Sequence, residues 1–313
     1  MRFTLPAVFP SLVIVSLALP WSTRASDPGA NSQTQKLLRE AATVLLKEGN
    51  LRFSAGKPTH PSAEPERRVA TATEGQAPLA TVLSCADSRV PVELVFDRGV
   101  GEIFTVRVAG NVADTDEIAT MEYGVGHLRT PLIVVLGHSQ CGAVTAVVKG
   151  AEMHGLLPQL VDNIVPAADR AKTIGGDEHT VIANAVKENV WQSMADVLRR
   201  SSVIRTEVQS GAVRMLGAIY DLESGKIQWL GEHPNQKTML NAWTAETVDR
   251  LPSQTKAVAA PAAAEETHAA EAQEPDTQEA PAGHAALAPA PTPAPTPKTS
   301  VASRPPPARP ALH

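Results

Sequence analysis

Two apolar runs break an otherwise mixed pattern, Leu79-Ala-Thr-Val-Leu and Pro131-Leu-Ile-Val-Val-Leu-Gly137, each followed at once by polar residues. Short continuous apolar runs rich in branched side chains read as strands buried on both faces, here Leu79–Ser84 and Leu132–Leu136. Gly101–Val108, with its Ile-Phe-Thr-Val core, predicts another strand between them. Helical spacing recurs around these strands. Leu38, Ala41, Ala42, Leu45 and Leu46 predict a helix over Gln35–Phe53, with Gly49-Asn50 as its stop signal. Gly110-Asn111 predicts a turn, and Asp114-Thr-Asp-Glu an acidic helix start that carries on through Ile118, Met121, Tyr123 and Val125 to about Leu128. Further helical patterns cover Gly142–Val148, Leu156–Ala171 and Val181–Arg200. Ala212–Tyr220 and Ile227–Leu230, joined by Leu222-Glu-Ser-Gly-Lys, predict a closing hairpin.

Strands that alternate with helices pair in parallel through helical crossovers. The expected fold is therefore α/β: a single domain with a mostly parallel central sheet flanked by helices, and an antiparallel edge where the hairpin closes. In such open sheets, sites form at the carboxyl ends of the strands.

Composition trims the 313-residue chain to that domain. Residues 1–25 have the form of a signal peptide: Arg2, an apolar stretch from Ala7 to Leu19 interrupted by Pro10, then Thr23-Arg24-Ala25. The stretch is too short to span a bilayer. Residues 252–313 are dominated by Ala, Pro, Glu and Thr, with Arg304-Pro-Pro-Pro among them, and are expected to be a disordered tail. Residues 32–251 remain as the folded domain. A formal net charge of −5 without a basic cluster excludes a general nucleic-acid binder.

Both cysteines of the chain fall at the ends of the two apolar runs, in Ser84-Cys85-Ala86-Asp87-Ser88-Arg89 and His138-Ser139-Gln140-Cys141-Gly142. In an exported protein, two cysteines also suit a Cys85–Cys141 disulfide. A staple needs no neighbouring ligands, however, and each cysteine has one. Residues two apart in an extended segment point the same way, so Cys85 and Asp87 emerge together, and His138 and Cys141 lie three apart across a turn. Two thiolates, an imidazole and a carboxylate suit tetrahedral zinc; the sulfurs exclude calcium and magnesium and leave iron or copper as poorer fits. Arg89 can grip Asp87 as a bidentate pair or release it to the metal.

These residues carry a family resemblance. Cys85–Pro91 (CADSRVP), Arg107–Asn111 (RVAGN), Glu122–Val125 (EYGV) and Gly137–Val144 (GHSQCGAV) resemble the β-class carbonic anhydrases, as do Gly49–Phe53 and Gly217–Lys226. The resemblance covers nearly all of the expected domain and neither terminus. It implies reversible hydration of carbon dioxide to bicarbonate and a proton. Cys85, His138 and Cys141 would be permanent Zn2+ ligands, and Asp87 a ligand that Arg89 can draw away. With Asp87 withdrawn, the Asp87–Arg89 dyad would orient a zinc-bound hydroxide toward carbon dioxide. It implies further a small-molecule substrate, carbon dioxide or bicarbonate, and a homodimer or a dimer of dimers. Where some members carry a substrate-facing Gln, this chain has Asp97-Arg98-Gly99, and no substrate-binding residue is carried over. With the leader, the resemblance leads to the expectation of a periplasmic or secreted enzyme without a permanent membrane span. Two alternatives remain open at this point: a carbonyl sulfide or carbon disulfide hydrolase on the same zinc site, and an exported non-catalytic binding module with a disulfide.

Overall fold

The computed structural model describes residues 32–243. The expected leader, residues 1–25, the tail, residues 252–313, and the last eight residues of the expected domain, 244–251, lie outside the described residues.

Among the described residues, five strands form one sheet in the order β2-β1-β3-β4-β5: β1 (Ala80–Cys85), β2 (Ile103–Val108), β3 (Leu132–His138), β4 (Arg214–Tyr220) and β5 (Ile227–Gly231). The first four pair in parallel, and β5 pairs antiparallel to β4, as the hairpin pattern predicts. Every residue of β1 and β3 is buried, which is why those strands read as unbroken apolar runs.

Alternate side chains supply two cores. Val82, Val134, Leu136, Leu216 and Ala218 pack with Ala42 and Leu46 of helix α1 (Ser32–Ser54) and with Val92 and Val95 of the one-turn helix α3 (Val92–Val95). Leu83, Ile133, Val135 and Met215 face the other way. They meet α4 (Thr115–Gly126), α8 (Glu178–Arg200) and α9 (Ser202–Ser210) through Met121, Val190, Met194 and Ile204. The remaining helices are α2 (Pro65–Glu74), α5 (Gly142–Lys149), α6 (Leu157–Val161), α7 (Val165–Ile174) and α10 (Gln236–Ala242). No described helix is long and apolar enough to cross a membrane.

Two sequence expectations are corrected. Gly49-Asn50 does not stop α1, which runs on to Ser54. Gly49 is there because a Cβ would lie 1.8 Å from the Phe96 carbonyl oxygen, so the helix can pass only if that position has no side chain. Asn50 is spent on tertiary contacts: Nδ2 donates to the carbonyls of Val95 and Gly225, and Oδ1 accepts from Ile227 N–H. Nor is Leu156–Ala171 one helix. Pro158 and Pro166 each begin a separate helix, α6 and α7, because proline has no N–H to donate to a preceding turn but suits the first one.

The acidic start expected at Asp114 is an N-cap. Asp114 and Glu117 form a reciprocal capping box on α4.

Candidate metal centre

The chain runs from β1 to β2 on one side and then returns to β3 on the other side of β1. The carboxyl ends of β1 and β3 thus flank the point where the winding reverses, the place where parallel sheets open a crevice. Cys85 is the last residue of β1 and His138 the last of β3; a turn then brings Cys141 to the N-cap of α5.

The ligand atoms of Cys85, His138 and Cys141 all lie within 4.8 Å of one another, and all three residues are buried. Both cysteines are free thiols, so the disulfide reading is not the arrangement found. His138 Nδ1 lies 2.9 Å from the Ser139 carbonyl oxygen. A carbonyl only accepts, so Nδ1 carries the proton and Nε2 keeps its lone pair. That Nε2 is buried without a hydrogen-bond partner. A buried, unpaired imidazole nitrogen is costly unless something binds it, and here two sulfurs face it. The donor set of two sulfurs and one imidazole nitrogen fits zinc.

The sulfurs are prepared for that role. The hydrogen bond from the Cys141 thiol pulls the Cys85 thiol downward, against burial, with the backbone N–H groups of Asp87 and Gly110 also lowering it. Cys141 is pushed upward, first by its bond to Cys85 and then by burial. A cation bound between them would favour the thiolate form of both sulfurs.

Asp87 stands beside the three ligands, its Oδ2 3.9 Å from His138 Nε2. Both of its oxygens are taken by Arg89: Nε donates to Oδ1 at 2.9 Å, Nη2 to Oδ2 at 2.7 Å, and the Arg89 backbone N–H to Oδ1 at 2.9 Å. The Arg89 side chain holds the Asp87 carboxyl well below the usual carboxylate range, against a smaller upward push from burial. The structure thus gathers Cys85, His138 and Cys141 into one cluster and places Asp87, turned toward Arg89, at its edge.

Two supports had no role assigned from sequence. Arg107 on β2 donates to the carbonyls of Cys85, at 3.0 Å, and Asp87, at 2.7 Å, clamping the loop that carries the dyad. Gly110 N–H donates to Cys85 Sγ at 3.3 Å. Both lie in the Arg107–Asn111 motif, which signals the family but not the contact. Asp97, in the loop where no substrate residue was assigned, is buried and holds backbone rather than facing the cluster.

Comparisons with known proteins agree with this geometry. A family model described as carbonic anhydrase matches residues 80–227. The chain is 38% identical over 190 residues to carbonic anhydrase 2 of Mycobacterium tuberculosis, covering 59% of this chain and 90% of the relative. It is 38% identical over 192 residues to a carbonic anhydrase of Mycolicibacterium smegmatis, covering 60% and 91%. Among solved structures, the β-carbonic anhydrase CafA of Aspergillus fumigatus superposes with a TM-score of 0.52 at 26% identity, covering 65% of this chain and 97% of that one. The α/β fold, the cysteine–histidine–cysteine cluster and these relatives agree, and the chain belongs to the β-class carbonic anhydrases, whose reaction is the hydration of carbon dioxide.

Proposed function

We propose that the protein hydrates carbon dioxide with one zinc ion held by Cys85 Sγ, His138 Nε2 and Cys141 Sγ. The observation that carries this reading is the buried, unpaired Nε2 of His138 facing two cysteine sulfurs. Bound zinc supplies Lewis acidity that makes water a nucleophile near neutral pH. The chain's own residues do the rest. Arg89 keeps Asp87 ionised and turned away from the cluster, so Asp87 is an acceptor that fixes the direction of a reacting hydroxyl rather than a fourth ligand. Arg107 holds the loop in register for that purpose. Ser139 fixes the imidazole tautomer that leaves Nε2 free.

The working unit in this reading is a homodimer. Its support is an apolar stripe on α1, where Leu37, Val44 and Leu51 recur every seventh residue and are 56%, 49% and 67% exposed. Such a stripe suits burial against a second copy. The signal-like residues 1–25 support export to the periplasm or beyond. N-terminal sequencing of the mature protein tests this, with a start just after Ala25 expected.

Stopped-flow hydration with a pH indicator tests the reaction itself. Activity should vanish on chelation, return with stoichiometric zinc, and exceed sulfide release from carbonyl sulfide under the same conditions. Sulfide release without carbon dioxide hydration would replace this reading with the hydrolase.

A further inference from the structure

Helix α8 turns Val186, Val190, Met194 and Val197 into the cores, yet three of its buried residues are polar: Asp196, which pairs with Gln192 and Arg199 of the helix itself, and Asn189 and Ser193. Asn189 is 1% exposed and Ser193 2%. Burying such groups is costly unless they are paired, so their partners show what they are for. Both reach one loop more than seventy residues away in sequence. Asn189 Nδ2 donates to the Gly110 carbonyl at 2.6 Å, and Ser193 Oγ donates to the Asn111 carbonyl at 2.9 Å. The orientation of the amide follows from chemistry, because a carbonyl oxygen accepts only from the nitrogen end.

The loop they hold does not take its shape unaided. Gly110 and Asn111 are successive left-handed residues, with φ of +73° and +46°. A Cβ on Gly110 would lie 2.7 Å from Ile164 Cδ1, so the turn is confined on that side as well. In this conformation the Gly110 N–H donates to Cys85 Sγ. A chain of two hydrogen bonds thus runs from α8 through the turn to a sulfur of the cluster.

We propose that Asn189 is a positioning residue for the metal centre, holding Gly110 so that its N–H sets the orientation and donor strength of the Cys85 thiolate. The proposal rests on the reading that Cys85 is a metal ligand. An N–H donated to a coordinating sulfur draws off charge and fixes the direction of its lone pairs, and loss of such outer contacts typically costs about 10–100-fold in metal affinity. Ser193 has a lesser part, fixing the next peptide of the same turn.

The test uses the full chain loaded with cadmium-113 in place of zinc. Scalar coupling between the metal and the Gly110 amide proton, transmitted through the hydrogen-bonded sulfur, is expected in the wild type and should vanish in Asn189→Leu. Zinc release to a chelator should quicken by about 10–100-fold in Asn189→Leu and by less in Ser193→Ala. Should Asn189→Leu fail to fold, Asn189→Ala, which removes the same donor and suits a helix, takes its place in both measurements. A wild type that binds one cadmium through both sulfurs but shows no coupling at Gly110 overturns the proposal. So does a folded Asn189→Leu that releases zinc at the wild-type rate. A wild type that binds no metal through Cys85 would instead sink the underlying ligand reading, and the proposal with it.

Discussion

Two of the arginine–aspartate pairs among the described residues, Arg89 on Asp87 and Arg52 on Asp97, are built in opposite ways. Asp87 receives all of its close donors from one residue, Arg89, whose side chain is 54% exposed. Asp97 has no exposed side-chain surface and is held from three residues: Arg52 Nε at 2.6 Å, Thr59 through N–H and hydroxyl, and His60 N–H at 2.8 Å. Rotation of one solvated side chain would free Oδ2 of Asp87 and leave Oδ1 with only the Arg89 backbone N–H. Freeing Asp97 would require the whole Thr59–His60 segment to come away, and with it the positive φ values at His60 and Asp97. One pair can change partners beside the metal centre. The other ties α1 to the loop after α3 and has no reason to move.

Removing the cluster beside the first pair should have the largest effect. Cys141→Ser or His138→Ala should abolish zinc binding and bring hydration to the uncatalysed rate, checked by metal analysis and stopped flow. Breaking the pair itself comes next. Arg89→Ala should lower kcat/KM by roughly 10²–10³-fold, the usual worth of one positioned polar contact in a reacting site, while the ion stays bound. Arg89→Lys should not rescue it, since an ammonium lacks the two-pronged fork seen at Asp87. Full activity in Arg89→Ala would remove the dyad from the mechanism.

The second pair should register in stability instead. Asp97→Asn should cost roughly 2–4 kcal/mol by denaturant titration at pH 7, with kcat/KM of the folded fraction little changed. Its pH dependence has a definite sign. Burial pushes the Asp97 carboxyl up, but the donors from Thr59, Arg52 and His60 outweigh it and hold the group well below the usual carboxylate range. A lowered folded pKa gives stability that is fully present above the unfolded value, about 3.9, and is lost as pH falls toward the folded one. The gap between wild type and Asp97→Asn should therefore be flat from pH 7 to about 5 and narrow below about 4. A gap that widens in acid would contradict the assignment. The smallest effect belongs to a third pair, Arg214–Glu232, whose side chains are 41% and 46% exposed. Arg214→Ala should shift stability by no more than about 0.5 kcal/mol, a control for pairs with neither burial nor several donors.

The parts of the molecule legible in the sequence are those where local pattern and tertiary role coincide. β1 and β3 are buried along their whole length, so their composition announces them. Cys85 and His138 end those strands, and Cys141 follows within the next turn, so the cluster could be expected from spacing. Arg89 follows Asp87 closely enough for the pair to be foreseen. Helix α2, by contrast, has no buried residue, and α3 spans one turn; neither presents the apolar stripe by which helices are recognised. Gly49 looks like a stop signal until Phe96 is placed against it. Asn189 and Ser193 interrupt an apolar face four residues apart, a visible irregularity, but its meaning depends on a loop distant in the chain.

The account stands on one zinc held by two cysteine sulfurs and an imidazole gathered at the ends of β1 and β3. Zinc-edge X-ray absorption combined with metal quantitation on the purified protein tests that most directly. The expected result is one zinc per chain with two sulfurs near ~2.3 Å and the remaining scatterers nitrogen or oxygen near ~2.0 Å. Metal-free protein with Cys85 and Cys141 joined, or zinc bound by fewer than two sulfurs, would contradict it.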